Sequence, residues 1–183
     1  MADKTERPLR QTVEFRGRVL TLNRDIVLTP DGREAEREIV HHRGAVAIAA
    51  LTDRNEILLV RQYRYAIGRE TLEIPAGKLE TGEEPQGAAL RELREETGAQ
   101  AGELYSLGFL YPTCAYSDEK IYLYLARSLT FGPMQPDEDE HIDPLSLPLD
   151  EAIRLCQTGE ITDAKTFCAL LHAEHFTGGK NLL

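Results

Sequence analysis

Short apolar and polar stretches alternate along the first 43 residues of this chain. Residues 26–28 and 37–41 flank Asp31 and Gly32, a dipeptide that favours a tight hairpin turn. The pattern predicts a small antiparallel sheet, and a sheet of so few strands is marginally stable on its own. We therefore expect this sheet to pack on the rest of the chain or on a second subunit.

From residue 45 onward the patterns are stronger and predict a mixed α/β domain. Residues 45–51 form an unbroken apolar run, which is typical of a buried strand. Pro85 suits the first position of a helix, Gly98 suits the left-handed residue beyond its end, and Thr162 suits the N-cap of the last helix. Further strands are predicted at 57–60, 72–74, 107–111 and 121–126, and helices at 85–97, 150–158 and 163–175. Strands with helices on either side predict an α/β sandwich.

The helix at residues 85–97 gathers Glu92, Glu95 and Glu96 near its C-terminal end. Carboxylates are unfavourable there, by roughly 0.3–1 kcal/mol each, because that end carries partial negative charge. On helical spacing the three fall within an arc of ~100°. The opposite, buried side is expected to carry Leu90, Leu93 and Thr97. Hard oxygen ligands on one face suit magnesium, manganese or calcium, so the pattern predicts a divalent metal site. The helix alone leaves a solvated acidic face as the alternative.

Composition and charge exclude several classes of protein. The chain has 42% hydrophobic and 28% charged residues and a formal net charge of −10, so no basic surface is expected to bind nucleic acid. No long apolar run predicts a membrane span or a leader peptide. The cysteines, which are Cys114, Cys156 and Cys168, form no zinc-binding spacing. We expect a cytoplasmic protein without a membrane partner.

The loop before the acidic helix makes the pattern specific. Gly77, Glu83, the run from Arg91 to Glu92, the pair Glu95 and Glu96, and Gly98 stand at fixed spacings. Over residues 77–99 the chain resembles the Nudix hydrolases at every position that their signature fixes. Such a resemblance implies a Nudix-type α/β/α sandwich with a mixed sheet, here with the small N-terminal antiparallel sheet added.

The same resemblance implies roles for individual residues. Glu92, Glu95, Glu96 and the backbone carbonyl of Ala76 match the metal ligands, and Glu95 is also placed among the catalytic residues. The motif further implies Glu83 as a brace between loop and helix, Arg91 as the residue that orients the acids, and Gly77 and Gly98 as backbone-shape positions. The implied cofactor is Mg²⁺, with Mn²⁺ as a substitute, at two or more ions per site.

Beyond the signature, the chain resembles the branch that cleaves ADP-ribose and other nucleoside diphosphate sugars. The stretches that carry this likeness are 37–40, 44–46, 61–64, 72–77, 116–119 and 159–166. This branch implies substrate contacts from Arg37 and Arg64, a stacking aromatic such as Phe15 from a partner subunit, and a homodimer. The expected organisation is a segment at 1–43 for dimerisation and substrate contacts, and a Nudix domain at 44–183.

A second acidic run, from Asp137 to Glu140, lies in a predicted loop. In the branch that this chain resembles, the corresponding loop brings a glutamate to the metals. We assign Glu140 as a metal ligand and Glu138 as the base, and the reverse assignment stays open. A solvated acidic loop is the competing explanation.

The predicted function is metal-dependent hydrolysis of the pyrophosphate bond of ADP-ribose and related nucleoside diphosphate sugars. Cys114 and Ala115 replace a Pro-Gly pair that is common in the branch, so a broad or GDP-sugar-preferring hydrolase stays open. Cys114 itself is expected to be a packing residue. A nucleoside triphosphate or dinucleoside polyphosphate hydrolase also stays open and, outside enzymes, so does a metabolite-sensing binding module.

Overall fold

The computed structural model of the chain describes residues 3–135 and 141–177. The strands are β1 (Arg7–Arg16), β2 (Leu20–Leu28), β3 (Glu34–His42), β4 (Ala45–Ala50), β5 (Glu56–Arg64), β6 (Arg69–Glu73), β7 (Ala76–Lys78), β8 (Ala99–Leu110), β9 (Ile121–Phe131) and β10 (Ile142–Pro148). The helices are α1 (Pro85–Thr97), α2 (Leu149–Gln157) and α3 (Ala164–Thr177). The predicted mixed α/β class is confirmed.

The N-terminal strands form an antiparallel sheet in the order β1-β2-β3, as predicted. Gly32 has a φ of 81° in the turn between β2 and β3, a conformation that glycine adopts without strain. This sheet belongs to a compact unit made of the described residues up to Gly44 together with Tyr111–Lys120. The Tyr111–Lys120 segment is a loop between β8 and β9. It is joined to β3 by the Val40 N–H, which donates to the Tyr116 carbonyl at 2.7 Å.

The second compact unit comprises Ala45–Leu110 and the described residues from Ile121 onward. It contains a mixed sheet in the order β7-β4-β9-β8, in which β4 and β9 are parallel, and an antiparallel sheet in the order β10-β5-β6. Strand β4 lies between β7 and β9 and is buried along its whole length. Burial on both faces explains why its sequence is an unbroken apolar run.

Helices cover both faces of the mixed sheet, as the predicted sandwich requires. Val46 and Ile48 of β4 pack in one cluster with Leu93 of α1. Alternate residues of β4, such as Ala47, pack in a second cluster with Leu170 of α3 and with residues of α2. Since successive strand residues point to opposite faces, a single strand serves both cores.

Several predicted boundaries were wrong. Strands β8 and β9 are longer than predicted, β7 lies in a stretch that was predicted to be a loop, and β10 was not predicted at all. Strand β10 carries Pro144, which is unfavourable within a sheet but tolerated here because β10 is an edge strand. Asp163 rather than Thr162 caps α3, since its carboxylate accepts from the Thr166 N–H at 2.9 Å.

Within residues 3–135 and 141–177, no helix has both the length and the apolar character needed to cross a membrane.

Candidate active site

Helix α1 has the predicted limits, from Pro85 to Thr97. Proline suits the first helical position because it has no N–H, and an N–H there would lack an intrahelical partner in any case. Gly98 ends the helix with a φ of 70°, and its N–H donates to the Arg94 carbonyl at 2.9 Å. The sequence therefore predicted both ends of the helix correctly.

The buried side of α1 differs from the prediction. Glu92 is 7% exposed and Glu96 is 2% exposed, whereas Leu90 is 40% exposed. The buried residues of the helix are Ala88, Ala89, Glu92, Leu93 and Glu96. The assignment of Leu90 to the buried stripe was wrong, because the helix packs with two of its acids turned inward rather than outward. Carboxylates this deeply buried require compensating charge or hydrogen bonds.

Arg91 supplies much of that compensation. Its Nη1 donates to Glu92 Oε1 at 2.7 Å and to Glu95 Oε2 at 2.9 Å. Its Nε and Nη2 donate to the two carboxylate oxygens of Glu83, each at 2.9 Å. Glu83 in turn accepts from the Glu80 N–H at 2.9 Å. One guanidinium thus joins two acids of the helix to the loop before it.

This network favours the charged forms of Glu83 and Arg91. Hydrogen bonds from Arg91 lower the pKa of Glu83. Hydrogen bonds to Glu83 likewise raise the pKa of Arg91, to which Glu92 and Glu95 also contribute. The Arg91 side chain is only 23% exposed, so solvent screens these pairs less than it screens pairs on an open surface.

The start of β7 shapes the other side of the site. The Ala76 N–H donates to Glu96 Oε2 at 3.0 Å. Gly77 lies so close to Glu92 that a Cβ added there would be 1.9 Å from the Glu92 carboxyl carbon. A side chain at this position would displace the Glu92 carboxylate, which Arg91 holds in place.

The donor set suits a divalent cation. Glu92, Glu95 and Glu96 offer hard oxygen atoms on neighbouring turns of one helix, and two of these acids are buried. Among residues 3–135 and 141–177, no group of three or more His, Cys, Asp and Glu side chains is already spaced to hold a metal ion. In this structure Glu92 and Glu95 face Arg91, while Glu96 faces the Ala76 amide. The ligand assignment therefore stays a prediction.

The residues predicted to bind substrate lie in different places. Arg64, at the end of β5, donates from Nε and Nη2 to the two oxygens of Glu73, at 2.8 and 2.7 Å. Arg37, on β3, is paired with Glu6. Phe15, on β1, is 57% exposed. Arg64 belongs to the same compact unit as α1, whereas Arg37 and Phe15 belong to the N-terminal unit.

Glu138 and Glu140 lie outside the described residues. The residues just before them are attached to the end of α1. The Gly132 N–H donates to the Gly98 carbonyl at 2.8 Å, and the Gln135 N–H donates to the Glu95 carbonyl at 3.1 Å. The stretch that leads into the second acidic run thus starts beside the acids of the helix.

Sequence analysis missed two charged residues beside the site. Glu73 is 2% exposed and holds Arg64, and it also contacts Lys165 of α3. The signal for Glu73 was an acid between two apolar residues, Leu72 and Ile74, where the sequence predicted a strand. Lys165 carried no comparable local signal, because a lysine in the first turn of a helix is usually solvated.

Comparison with known proteins agrees with this geometry. The sequence matches the NUDIX domain over residues 41–170. An ADP-ribose pyrophosphatase of Bacillus subtilis (strain 168) is 39% identical over 176 residues, which cover 95% of each chain. A methanol dehydrogenase activator of Bacillus methanolicus is 41% identical over 171 residues, which cover 92% of each chain.

A solved structure supports the same fold. The crystal structure of an ADP compounds hydrolase superposes with a TM-score of 0.83 at 24% identity, and the match covers 97% of this chain and 98% of that one. The family match spans most of the chain, including the whole of β4 to β10 and the acidic helix α1. Members of this family generally use divalent metals. The chain belongs to the NUDIX family.

Proposed function

We propose that this protein is a metal-dependent pyrophosphatase that hydrolyses ADP-ribose and related nucleoside diphosphate sugars. Water would attack one phosphorus atom and the bridging P–O bond would break, which gives AMP and ribose 5-phosphate from ADP-ribose. One structural observation carries the proposal. Buried Glu92 and Glu96 of α1 lie against Ala76 and Gly77 of β7, and Arg91 is the counter-ion of Glu92.

The protein's own groups would bind and orient the reactants. Arg91 would hold Glu92 and Glu95 in position, as its hydrogen bonds to both carboxylates do in this structure. The Ala76 N–H would fix Glu96 in the same way, because it donates to Glu96 Oε2 at 3.0 Å. Arg64 would bind a phosphate of the substrate, since a guanidinium is well suited to that geometry.

The proposed metal ligands are Glu92, Glu95, Glu96 and the Ala76 carbonyl, with Glu140 as a further ligand. Bound divalent cations would neutralise charge on the pyrophosphate oxygens and lower the pKa of a coordinated water. We propose Mg²⁺, replaceable by Mn²⁺, at two or more ions per site. We also propose that the protein acts in the cytoplasm as a homodimer, with Arg37 and Phe15 contributing to substrate binding.

Glu138 is proposed as the base that takes the proton of the attacking water. We expect Glu138→Gln and Glu140→Gln to lower the rate more than they weaken substrate binding. Steady-state kinetics on ADP-ribose would separate the two effects. If both variants turned over at the wild-type rate, the acidic loop would have no part in the mechanism.

A product assay tests the function directly. The purified chain is incubated with Mg²⁺ and a panel of nucleoside diphosphate sugars, nucleoside triphosphates and dinucleoside polyphosphates, and the products are separated by chromatography. We expect AMP and ribose 5-phosphate from ADP-ribose, at a higher kcat/KM than for any triphosphate. A Glu96→Gln preparation, purified in the same way, controls for contaminating hydrolases.

Rival functions predict different results in this assay. A GDP-sugar-preferring hydrolase would rank GDP-mannose above ADP-ribose. A triphosphate or dinucleoside polyphosphate hydrolase would rank those substrates first. A sensing module would be stabilised by ADP-ribose and Mg²⁺ in a thermal melt yet release no product from any member of the panel, and that result would overturn the proposed function.

A further inference from the structure

The first turn of α3 is joined to the end of β6 by a buried polar contact. Lys165 Nζ contacts the Glu73 carboxylate and lies 2.9 Å from Asp163 Oδ1. Thr166 Oγ1 accepts from the Ile74 N–H at 2.9 Å and donates to Asp163 Oδ2 at 2.6 Å. Glu73 is 2% exposed and Thr166 is fully buried. The helix thereby fixes the chain between β6 and β7, just before Ala76 and Gly77.

Glu73 is the centre of this contact. Its Oε1 accepts from Arg64 Nε at 2.8 Å and from Thr71 Oγ1 at 2.6 Å. Its Oε2 accepts from Arg64 Nη2 at 2.7 Å and from Lys165 Nζ. Both oxygens are therefore used, and the carboxylate cannot rotate without breaking several hydrogen bonds.

This arrangement leaves one edge of Arg64 available. Nε and Nη2 face Glu73, and in the part of the chain that the structure describes Nη1 makes no hydrogen bond. The Arg64 side chain is 42% exposed, in contrast to 3% for that of Glu73. The guanidinium is thus held by one edge while part of the side chain stays accessible, and a phosphate could use the donor that Glu73 does not occupy.

Arg64 also lies within the electrostatic field of the acidic helix. Hydrogen bonds to Glu73 raise the pKa of Arg64, and the charges of Asp163 and Glu96 raise it further. Glu96 is one of the buried acids of α1, so the charge of Arg64 interacts with the charge of the acidic helix.

We propose that Glu73 and Lys165 are positioning residues that hold Arg64 ready to bind a phosphate of the substrate. This inference rests on the proposed function, because it takes Arg64 as a substrate contact. Lys165 connects α3 to Arg64, because it lies on α3 and contacts the carboxylate that holds Arg64. Without its charge, the Glu73 oxygen that it shares with Arg64 loses a partner, and the carboxylate holds the guanidinium less firmly.

A purely structural role is the competing explanation. A buried ion pair is a poor way to stabilise a fold, since apolar residues of similar volume often do so equally well. Four donors around one carboxylate instead fix a geometry, and the partly exposed arginine is the residue that this geometry orients. The two explanations differ in one measurable way: only a positioning role makes the effect of Lys165 depend on Arg64.

The test is a double-mutant cycle read out by equilibrium binding. ADP-ribose is titrated calorimetrically into wild type, Arg64→Ala, Lys165→Met and the double variant, with EDTA present and with chromatography showing that the ligand stays intact. We expect Arg64→Ala to raise Kd by roughly tenfold or more, as for loss of a charge-assisted hydrogen bond. Lys165→Met alone should raise Kd severalfold. Added to Arg64→Ala, it should leave the Kd of the Arg64→Ala variant unchanged.

Further variants separate positioning from folding. Lys165→Arg should restore most of the affinity, since it keeps the charge. Arg154→Met, which removes an exposed ion pair with Glu151 on α2, is the matched control and should leave Kd unchanged. If Lys165→Met does not fold, Thr71→Val removes another donor to Glu73 and takes its place in the cycle.

The outcomes are distinguishable. Additive effects of the Arg64 and Lys165 changes, or a lowered Tm in Lys165→Met with an unchanged Kd, would overturn the positioning role. An unchanged Kd in Arg64→Ala would overturn it together with the Arg64 contact. Neither result touches the hydrolase proposal, which is decided separately by release of AMP and ribose 5-phosphate from the wild-type protein.

Discussion

Arg91 shows how a single residue solves the charge problem that makes α1 unusual. Acids near a helix C-terminus are unfavourable, and burying them adds a desolvation cost. Arg91 offsets both effects for Glu92 and Glu95, and the Ala76 amide does so for Glu96. These contacts compensate the charge of the carboxylates within the fold itself.

Changing Glu96 to Gln tests the proposed metal site. Glutamine keeps an oxygen for the Ala76 amide but removes the charge, so we expect the fold to survive while kcat for AMP release falls by at least about a hundredfold. Titration with Mn²⁺ followed by electron paramagnetic resonance should show weaker binding. Glu151→Gln, in an exposed ion pair of α2, is the control and should behave as wild type. A near-normal kcat in Glu96→Gln would contradict the assignment.

Glu73 predicts how stability depends on pH. Burial alone raises its pKa, but hydrogen bonds from Arg64 and the charge of Lys165 outweigh that effect and lower it from 4.5 to about 2. Because the pKa is lower in the folded state, the stabilisation is present above pH 4.5 and is lost as pH falls toward 2. It amounts to roughly 3 kcal/mol when fully present.

Urea unfolding of wild type and Glu73→Gln from pH 7 to pH 3 measures this contribution. The difference in the free energy of unfolding isolates Glu73 from the other acids, since both proteins share them. We expect the difference to be constant at neutral pH and to shrink below pH 4.5. A difference that does not change over this range would show that Glu73 is not held as a low-pKa carboxylate.

At the scale of elements, the end of α1 is attached to the chain that follows β9. Gly98 is left-handed, and a Cβ added there would be 2.3 Å from the Gly132 carbonyl oxygen. Main-chain hydrogen bonds then join Gly132 to Gly98 and Gln135 to Glu95. The glycine thus serves two purposes: it ends the helix, and it leaves room for the stretch that leads to the second acidic run.

Gly98→Ala separates these two purposes when it is compared with Gly159→Ala. Both glycines have positive φ, 70° and 80°, but nothing lies within 4 Å of a Cβ at Gly159. We expect Gly159→Ala to cost about 1 kcal/mol from backbone strain alone. Gly98→Ala should cost a further ~1–3 kcal/mol from the clash, measured by thermal unfolding. Equal costs would mean that the close approach to Gly132 does not constrain the fold.

Elements also differed in how far sequence could predict them. Helix α1 was predicted to the residue because Pro85 and Gly98 mark its ends. Strand β10 was missed, since its prolines argue against a strand and only its place at the edge of a sheet makes them acceptable.

Cys114, expected to be a packing residue, is exposed in the loop between β8 and β9, so that prediction was wrong.

At the scale of the whole molecule, the N-terminal sheet bears on the proposed homodimer. Strand β1 exposes Leu9, Val13 and Phe15, at 52%, 48% and 57%. Exposed apolar side chains that gather on one surface often mark a place that another molecule covers, and these three share one strand. A second copy of this chain is the proposed partner, and closed two-fold pairs are the commonest oligomers.

Phe15→Glu should convert a dimer into a monomer, because a charge in an apolar interface is costly to bury. Light scattering on the purified proteins gives the mass directly. Phe131→Glu is a suitable control, since Phe131 is similarly exposed, at 62%, but lies on β9 and not in the N-terminal sheet. A wild-type mass of a single 20.5 kDa chain at micromolar concentration would contradict the dimer.

By itself the sequence determined the features that depend on local spacing. These are the α/β class, the N-terminal hairpin turn, the limits of α1 and the acidic motif with its family. Tertiary structure decided which face of α1 is buried, that Glu73 joins Arg64 to Lys165, and that Gly77 makes room for Glu92. Helix caps and signatures act over a few residues, whereas these contacts join residues as many as 92 positions apart, and their partners are set by packing.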